Sequence, residues 1–259
     1  MRISMLGVGN MLGAILEGIL KSQKYNEKDI TIYNRNKAKI EKFRNYDINF
    51  AKDEKELLEK ADILIIGVKP QDITNLADKI KDTIKENTTI VSIAALKTIK
   101  DLEEIFGKRK IIRVMPNTPA IVLKSMSAIT RNNLVEDKEY KYVKEVFKTV
   151  GEVAEVSEKD FDAFSAIAGC MPAYVDIFIE ASADAAVKNG IKRDKAYKYI
   201  AKSIEGTAAM VLETGKHPAQ LKDEVTSPSG STIRGVIALE EEGFRNAIIK
   251  AIDKSANMD

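Results

Sequence analysis

The sequence predicts an α/β protein: an N-terminal Rossmann-type sheet domain followed by an all-α C-terminal domain. Three observations lead there. An apolar strand, a glycine turn and a helical stretch come in that order at the N-terminus. Short apolar runs then alternate with helical stretches up to about residue 157. Beyond it no strand pattern is convincing, and alanine-rich helical stretches take over. The 259 residues suit one large or two medium domains, and the change of pattern divides them into 1–157 and 158–259.

Ile3-Ser4-Met5-Leu6 reads as a buried strand, followed by the turn Gly7-Val8-Gly9 and by helical spacing from Asn10 through Met11 and Leu12. This is the order a dinucleotide site requires. Gly7 permits the tight turn, Gly9 leaves room for a pyrophosphate, and the helix start points N–H groups and a positive dipole end at it. Taken alone, a bare Gly-x-Gly is also often just a turn. The usual third glycine is Leu12 here, with Gly13 one place late, so the helix is expected slightly further from the sheet.

Ile30-Thr31-Ile32-Tyr33 is the second strand and ends in Asn34-Arg35. An acid at this place would bind the ribose hydroxyls of NAD; an amide followed by arginine suits the extra phosphate of NADP. The plainer alternative is a polar turn opening a helix over 37–43. Residues 48–51 form a short strand and 54–60 a short helix. The continuous apolar run 63–68 is the clearest buried strand, and Val68-Lys69-Pro70 close it where ligands bind in open α/β sheets. Helices are expected over 71–85, 99–106 and 137–149, and strands over 89–95, 110–115, 127–130 and 152–156. Pro116-Asn117-Thr118-Pro119 makes a rigid loop at a strand end, serving either as punctuation or as a site lining.

The second half offers helices over 161–168, 172–189, 194–214, 219–224, 232–241 and 243–256, with Gly190 as a helix C-cap. Helices 172–189 and 194–214 carry apolar and alanine positions on more than one face, which points to a homodimer or a dimer-based assembly.

Composition narrows the partners. A net charge of +2 suggests neither nucleic acid nor an acidic membrane surface. No apolar run approaches the length of a membrane span, and the chain opens on a strand rather than a signal peptide. A single cysteine, Cys170, allows no intrachain disulfide and fits a reducing cytoplasm. The single histidine, His217, excludes a His-rich metal site, and no carboxylate cluster has a suggestive spacing, so no metal is expected. A Cys170–His217 nucleophile pair lacks a third orienting residue; the bland reading is a buried thiol and a histidine at a helix start.

Several stretches together resemble the pyrroline-5-carboxylate reductase family. They are Gly7-Val8-Gly9-Asn10-Met11, Val68-Lys69-Pro70-Gln71, Arg113-Val114-Met115-Pro116-Asn117-Thr118-Pro119-Ala120, Gly169 with Pro172-Ala173-Tyr174, His217-Pro218-Ala219-Gln220-Leu221-Lys222-Asp223, Val225-Thr226-Ser227-Pro228 and Gly243-Phe244-Arg245. They span nearly the whole chain in the family's order. The resemblance implies NADPH, with NADH weaker, reducing the C=N bond of a small cyclic imino acid. It also implies a helical dimerisation and substrate domain.

Carried onto this sequence, the cofactor residues are Gly7, Gly9, Asn10, Met11, Leu12, Asn34, Arg35, Val68, Lys69, Pro70 and Asn117. The substrate residues are Asn117, Gly230, Ser231 and Thr232. Backbone N–H groups of Gly230, Ser231 and Thr232 would hold the substrate carboxylate, and Thr232 would serve the imine nitrogen as the catalytic hydroxyl. Without the resemblance, Thr232 reads as a helix N-cap. Three places depart from the family pattern: Met171 and Ser229 stand where it has glycine, and Leu123-Lys124-Ser125 stands where it has Gly-x-Gly. Two other functions remain open on the sequence, a sister imine or hydroxy-acid reductase and a non-catalytic nucleotide-binding paralogue.

Overall fold

A computed structural model describes residues 1–256. The first compact unit, Met1–Gly169, is built on eight strands: β1 (Ile3–Leu6), β2 (Ile30–Tyr33), β3 (Asn49–Phe50), β4 (Ile63–Ile66), β5 (Thr89–Ser92), β6 (Ile111–Met115), β7 (Ser125–Arg131) and β8 (Gly151–Glu155). Their order is β3-β2-β1-β4-β5-β6-β7-β8, parallel throughout except where β7 runs antiparallel to β6. β1 and β4 are buried at every position because helices cover both faces, which is why their sequences are unbroken apolar runs. The chain order reverses between β1 and β4, so the ends of these two strands form the switch point at which such sheets take ligands.

The α-helices of this unit are α1 (Asn10–Ser22), α2 (Glu54–Leu58), α3 (Ile73–Ile80), α4 (Ile99–Phe106), α5 (Asp137–Phe147) and α6 (Phe161–Phe164). One buried cluster joins α1 to Ile3, Met5, Ile63 and Phe147, and another joins α3 and α4 to Leu64, Ile66 and Ile90. Thr98 caps α4 in a reciprocal box with Asp101, whose carboxyl is held below its usual range by hydrogen bonds from the Thr98 backbone and side chain.

Several sequence expectations are corrected. The stretch Lys37–Phe43 is a 3-10 helix, not an α-helix. Helix 71–85 contracts to α3; turns follow it, and the Arg109 guanidinium donates to the carbonyls of Lys81 and Lys85 at 2.9 and 3.1 Å. The helix expected over 161–168 is α6 followed by a π-turn, Ser165–Gly169. Helix α1 does not stand off from the sheet. Leu12 is fully buried, and room for it comes from Gly67 just past β4, where a Cβ would lie 2.8 Å from Leu12 Cβ. The glycine that allows close packing sits on the strand side of the contact instead of the helix side.

The second unit, from Cys170, is helical: α7 (Met171–Lys188), α8 (Arg193–Thr214), α9 (Pro218–Glu224), α10 (Ser231–Glu241) and α11 (Phe244–Ala256). Gly190 follows α7 with φ +91, the conformation that ends a helix. Among the described residues of this unit only Ala183, Ala196 and Leu221 are buried, while Ile177, Phe178, Leu212, Ile237 and Ile249 are exposed. The expectation that no stretch reaches membrane-span length is also revised. The helical run Glu158–Lys188 is long and apolar enough by length and composition alone, and little of it is buried. Its apolar character lies in exposed positions such as Ile167, Ile177 and Phe178, which period counting along a mixed sequence underrates.

Candidate active site

Each unit presents a helix whose first turn is left unpaired. In the sheet unit, Gly7 has φ +81, and a Cβ there would lie 2.7 Å from Val68 Cγ1, so glycine is required on both counts. Gly7 N–H donates to the Tyr33 carbonyl at 3.0 Å, which ties the turn to the end of β2. Gly9 is the N-cap of α1 and supplies no side-chain cap; its own N–H turns back to Gly7 O at 2.7 Å. The N–H groups of Asn10, Met11 and Leu12 therefore have no intrahelical acceptor, and the first turn contains no acid to neutralise them. A Cβ at Gly9 would meet only Gly7 O, at 3.9 Å, so open space lies beside these donors. The residues present fit a dinucleotide pyrophosphate at this point.

Arg35 follows β2, is exposed, and forms no salt bridge among the described residues. Asn34 Nδ2 donates to Asn36 O at 2.7 Å, shaping the turn that presents Arg35. Val68 is half-buried against the Gly7 turn, Lys69 is exposed, and Pro70 begins the 3-10 turn Pro70–Asp72. The structure thus gathers Gly7, Gly9, the start of α1 and Val68 at the switch point, with Asn34-Arg35 at the neighbouring strand end.

Asn117 sits at the C-terminal end of β6 and is nearly buried. Its Oδ1 accepts from Ser125 Oγ at 3.0 Å and from Met126 N–H at 3.1 Å, and its Nδ2 donates to Ala168 O at 2.9 Å. Sequence reasoning singled out Asn117 and missed these partners.

In the helical unit, the loop Ser227–Gly230 leads into α10, which starts at Ser231 rather than at Thr232. Gly230 is the N-cap and gives no side-chain cap, so Thr232 is not the cap the plain reading made it. Gly230 N–H donates to Ser227 O at 3.0 Å. It is therefore spent within the loop, a correction to its expected role as a carboxylate donor. Ser231 and Thr232, in the first turn, keep N–H groups without intrahelical acceptors and again have no acid beside them. Both residues are exposed.

Nothing in the structure explains the departures from the family pattern, and two of them carry backbone strain. Leu123 and Ser229, at two family-glycine positions, both have φ +61, so side chains occupy backbone that glycine adopts freely, at about 1 kcal/mol each. Met171 opens α7 in ordinary helical geometry. His217 is the N-cap of α9, its Nδ1 accepting from Ala219 N–H at 3.2 Å, and Cys170 is the half-buried N-cap of α7. Among the described residues no group of three His, Cys, Asp or Glu is placed to hold a metal.

Comparison with known proteins decides the family. Residues 158–259 match the model for pyrroline-5-carboxylate reductase dimerisation, and residues 2–96 the model for NADP oxidoreductase, coenzyme F420-dependent. The pyrroline-5-carboxylate reductase of Escherichia coli is 41% identical over 255 residues, covering 98% of this chain and 95% of the relative. The chain belongs to the pyrroline-5-carboxylate reductase family. Solved members superpose over nearly their full length. The Plasmodium falciparum pyrroline carboxylate reductase with NADP bound gives a TM-score of 0.88 at 32% identity, covering 98% of this chain and 95% of that one. The Coxiella burnetii pyrroline-5-carboxylate reductase gives 0.92 at 30%, covering 99% and 96%.

Proposed function

We propose that the chain is an NADPH-dependent oxidoreductase that reduces 1-pyrroline-5-carboxylate to proline, in proline biosynthesis. The observation that carries this reading is the pair of glycine-capped, acid-free helix starts at α1 and α10, one for a pyrophosphate and one for a carboxylate. Family membership over almost the entire chain supports the substrate.

When bound, NADPH would supply the hydride for the imine carbon, the C=N electron pair going to nitrogen, which takes a proton to give a secondary amine. The chain's own residues bind and orient. Asn10, Met11 and Leu12 N–H groups would hold the pyrophosphate, and Arg35 would take the additional phosphate of NADPH, which would make NADH the weaker cofactor. Ser231 and Thr232 N–H groups hold the substrate carboxylate. The Thr232 hydroxyl, directly or through water, donates to the nitrogen as it becomes basic.

The helical unit is proposed to act as a homodimer or dimer-based assembly, since its few buried side chains leave apolar faces for a second copy to cover. That same covering accounts for the apolar run Glu158–Lys188 without a membrane. We place the enzyme in the cytoplasm and assign it no nucleic-acid partner. Incubating purified protein with NADPH and pyrroline-5-carboxylate and identifying the product tests the reading: proline is expected, and NADPH consumption without proline would refute it.

A further inference from the structure

We propose that Ser125 is a positioning residue: its hydroxyl locks the Asn117 side chain as a strut beneath the nicotinamide end of the cofactor site, so the Asn117 amide oxygen acts by shaping the loop and not as a ligand. The inference rests on the NADPH reading above. Ser125 is the first residue of β7. It is buried, donates to Asn117 Oδ1 at 3.0 Å and accepts from Asn117 N–H at 3.3 Å. With its proton committed to Asn117, its 3.1 Å contact with Ser127 Oγ requires Ser127 to be the donor. A second acceptor bond at Asn117 Oδ1, from Met126 N–H, leaves that oxygen with no capacity for a ligand.

The other end of the side chain faces the opposite way. Asn117 Nδ2 reaches the carbonyl of Ala168, inside the π-turn Ser165–Gly169. That turn lies against the end of β6: a Cβ on Gly169 would stand 2.7 Å from Met115 Cε. The segment from Met115 to Thr118 is thereby clamped between the start of β7 and the π-turn. The clamp also explains how Leu123 is kept at φ +61, because the loop is fixed at Asn117 and again at Ser125. In this sheet the strand ends on the β4-β5-β6 side of the switch point are where the second half of a dinucleotide lies. A small displacement there misaligns the hydride donor while the pyrophosphate contacts at α1 persist, and such misplacement costs rate more than binding.

The test compares Ser125→Ala, Ser125→Gly, Asn117→Ala and the Ser125→Ala/Asn117→Ala double variant. NADPH affinity, the emission spectrum of bound NADPH, kcat and Tm are measured for each. The proposal expects near-unchanged NADPH affinity, an altered nicotinamide emission, and a kcat lowered about tenfold in both single alanine variants. The double variant should be no worse than either, since one strut is lost only once. An unchanged emission spectrum with a lowered Tm would overturn the proposal in favour of a purely structural network. Asn117→Ala raising KM while Ser125→Ala does nothing would overturn it in favour of a direct substrate contact. The emission readout needs no imine, so failure of the substrate reading shows separately, as an absence of turnover in the unsubstituted protein.

Discussion

Replacing Thr232 by alanine separates a chemical role from a capping role. Thr232 is the second residue of α10, exposed, and its hydroxyl has no hydrogen-bond partner among the described residues. The N-cap is Gly230, so the roughly 1 kcal/mol that a lost threonine cap costs does not apply. Alanine is in fact the better helix former by a few tenths of a kcal/mol, so Tm should hold or rise slightly. The chemical cost is different. A hydrogen bond to a nitrogen gaining charge in the transition state is worth about 2–3 kcal/mol, which is about a hundredfold in kcat. NADPH affinity, which the proposed function assigns to α1 and Arg35, should not move. The assay is kcat and KM with pyrroline-5-carboxylate, NADPH binding by fluorescence, and thermal melting on the same preparation. Full kcat in Thr232→Ala would remove the hydroxyl from the mechanism. A loss of kcat matched by a drop in Tm of several degrees would return Thr232 to the fold.

Three further outcomes follow from the structure. Arg35→Ala should weaken NADPH about tenfold or more while leaving NADH nearly unchanged, if the exposed guanidinium takes the additional phosphate as proposed; equal losses would contradict this. Glu158 Oε1 accepts from Arg113 Nη1 at 2.7 Å and from Ile99 N–H at 3.0 Å, and the buried Arg113 also lies 4.0 Å over the Phe161 ring. Glu158→Ala should therefore cost roughly 2–3 kcal/mol, seen as a lower urea midpoint with unchanged slope, the partial exposure of Glu158 reducing the penalty from that of a fully buried pair. Burial pushes the Tyr140 hydroxyl up to about 12 from its ordinary value of 10.0. A folded value above the unfolded one gives stability that is complete below pH 10 and lost as pH rises toward 12. Near pH 11 the tyrosine should account for about 1 kcal/mol, and Tyr140→Phe should flatten the alkaline fall measured by denaturant titration; an unaltered slope would refute the assignment.

The sheet was legible in the sequence because buried parallel strands are unbroken apolar runs, as at residues 63–66, and because the Gly7–Gly9 turn can be read without tertiary context. What stayed hidden depends on contacts distant in the chain. The fit of Leu12 rests on Gly67, and nothing local to the helix shows it. The π-turn interrupts a stretch whose periodicity is helical, and its Ala168 carbonyl is met by Asn117 from 51 residues away. Gly230 looked like a free donor because the hydrogen bond to Ser227 O depends on how the loop closes. The glycine-like backbone at Leu123 and Ser229 was equally invisible, since residue identity there argues against a positive φ. In the helical half, element positions came through within a few residues, and the scarcity of a core within the unit appeared only with the side chains in place.

Steady-state oxidation of NADPH by the purified protein, with pyrroline-5-carboxylate as the varied substrate, reads the proposed reaction itself. Saturable, substrate-dependent loss of the NADPH absorbance is expected, with one proline formed per NADPH consumed and slower turnover with NADH. Folded protein that binds NADPH yet oxidises it no faster with pyrroline-5-carboxylate than without would not be a pyrroline-5-carboxylate reductase.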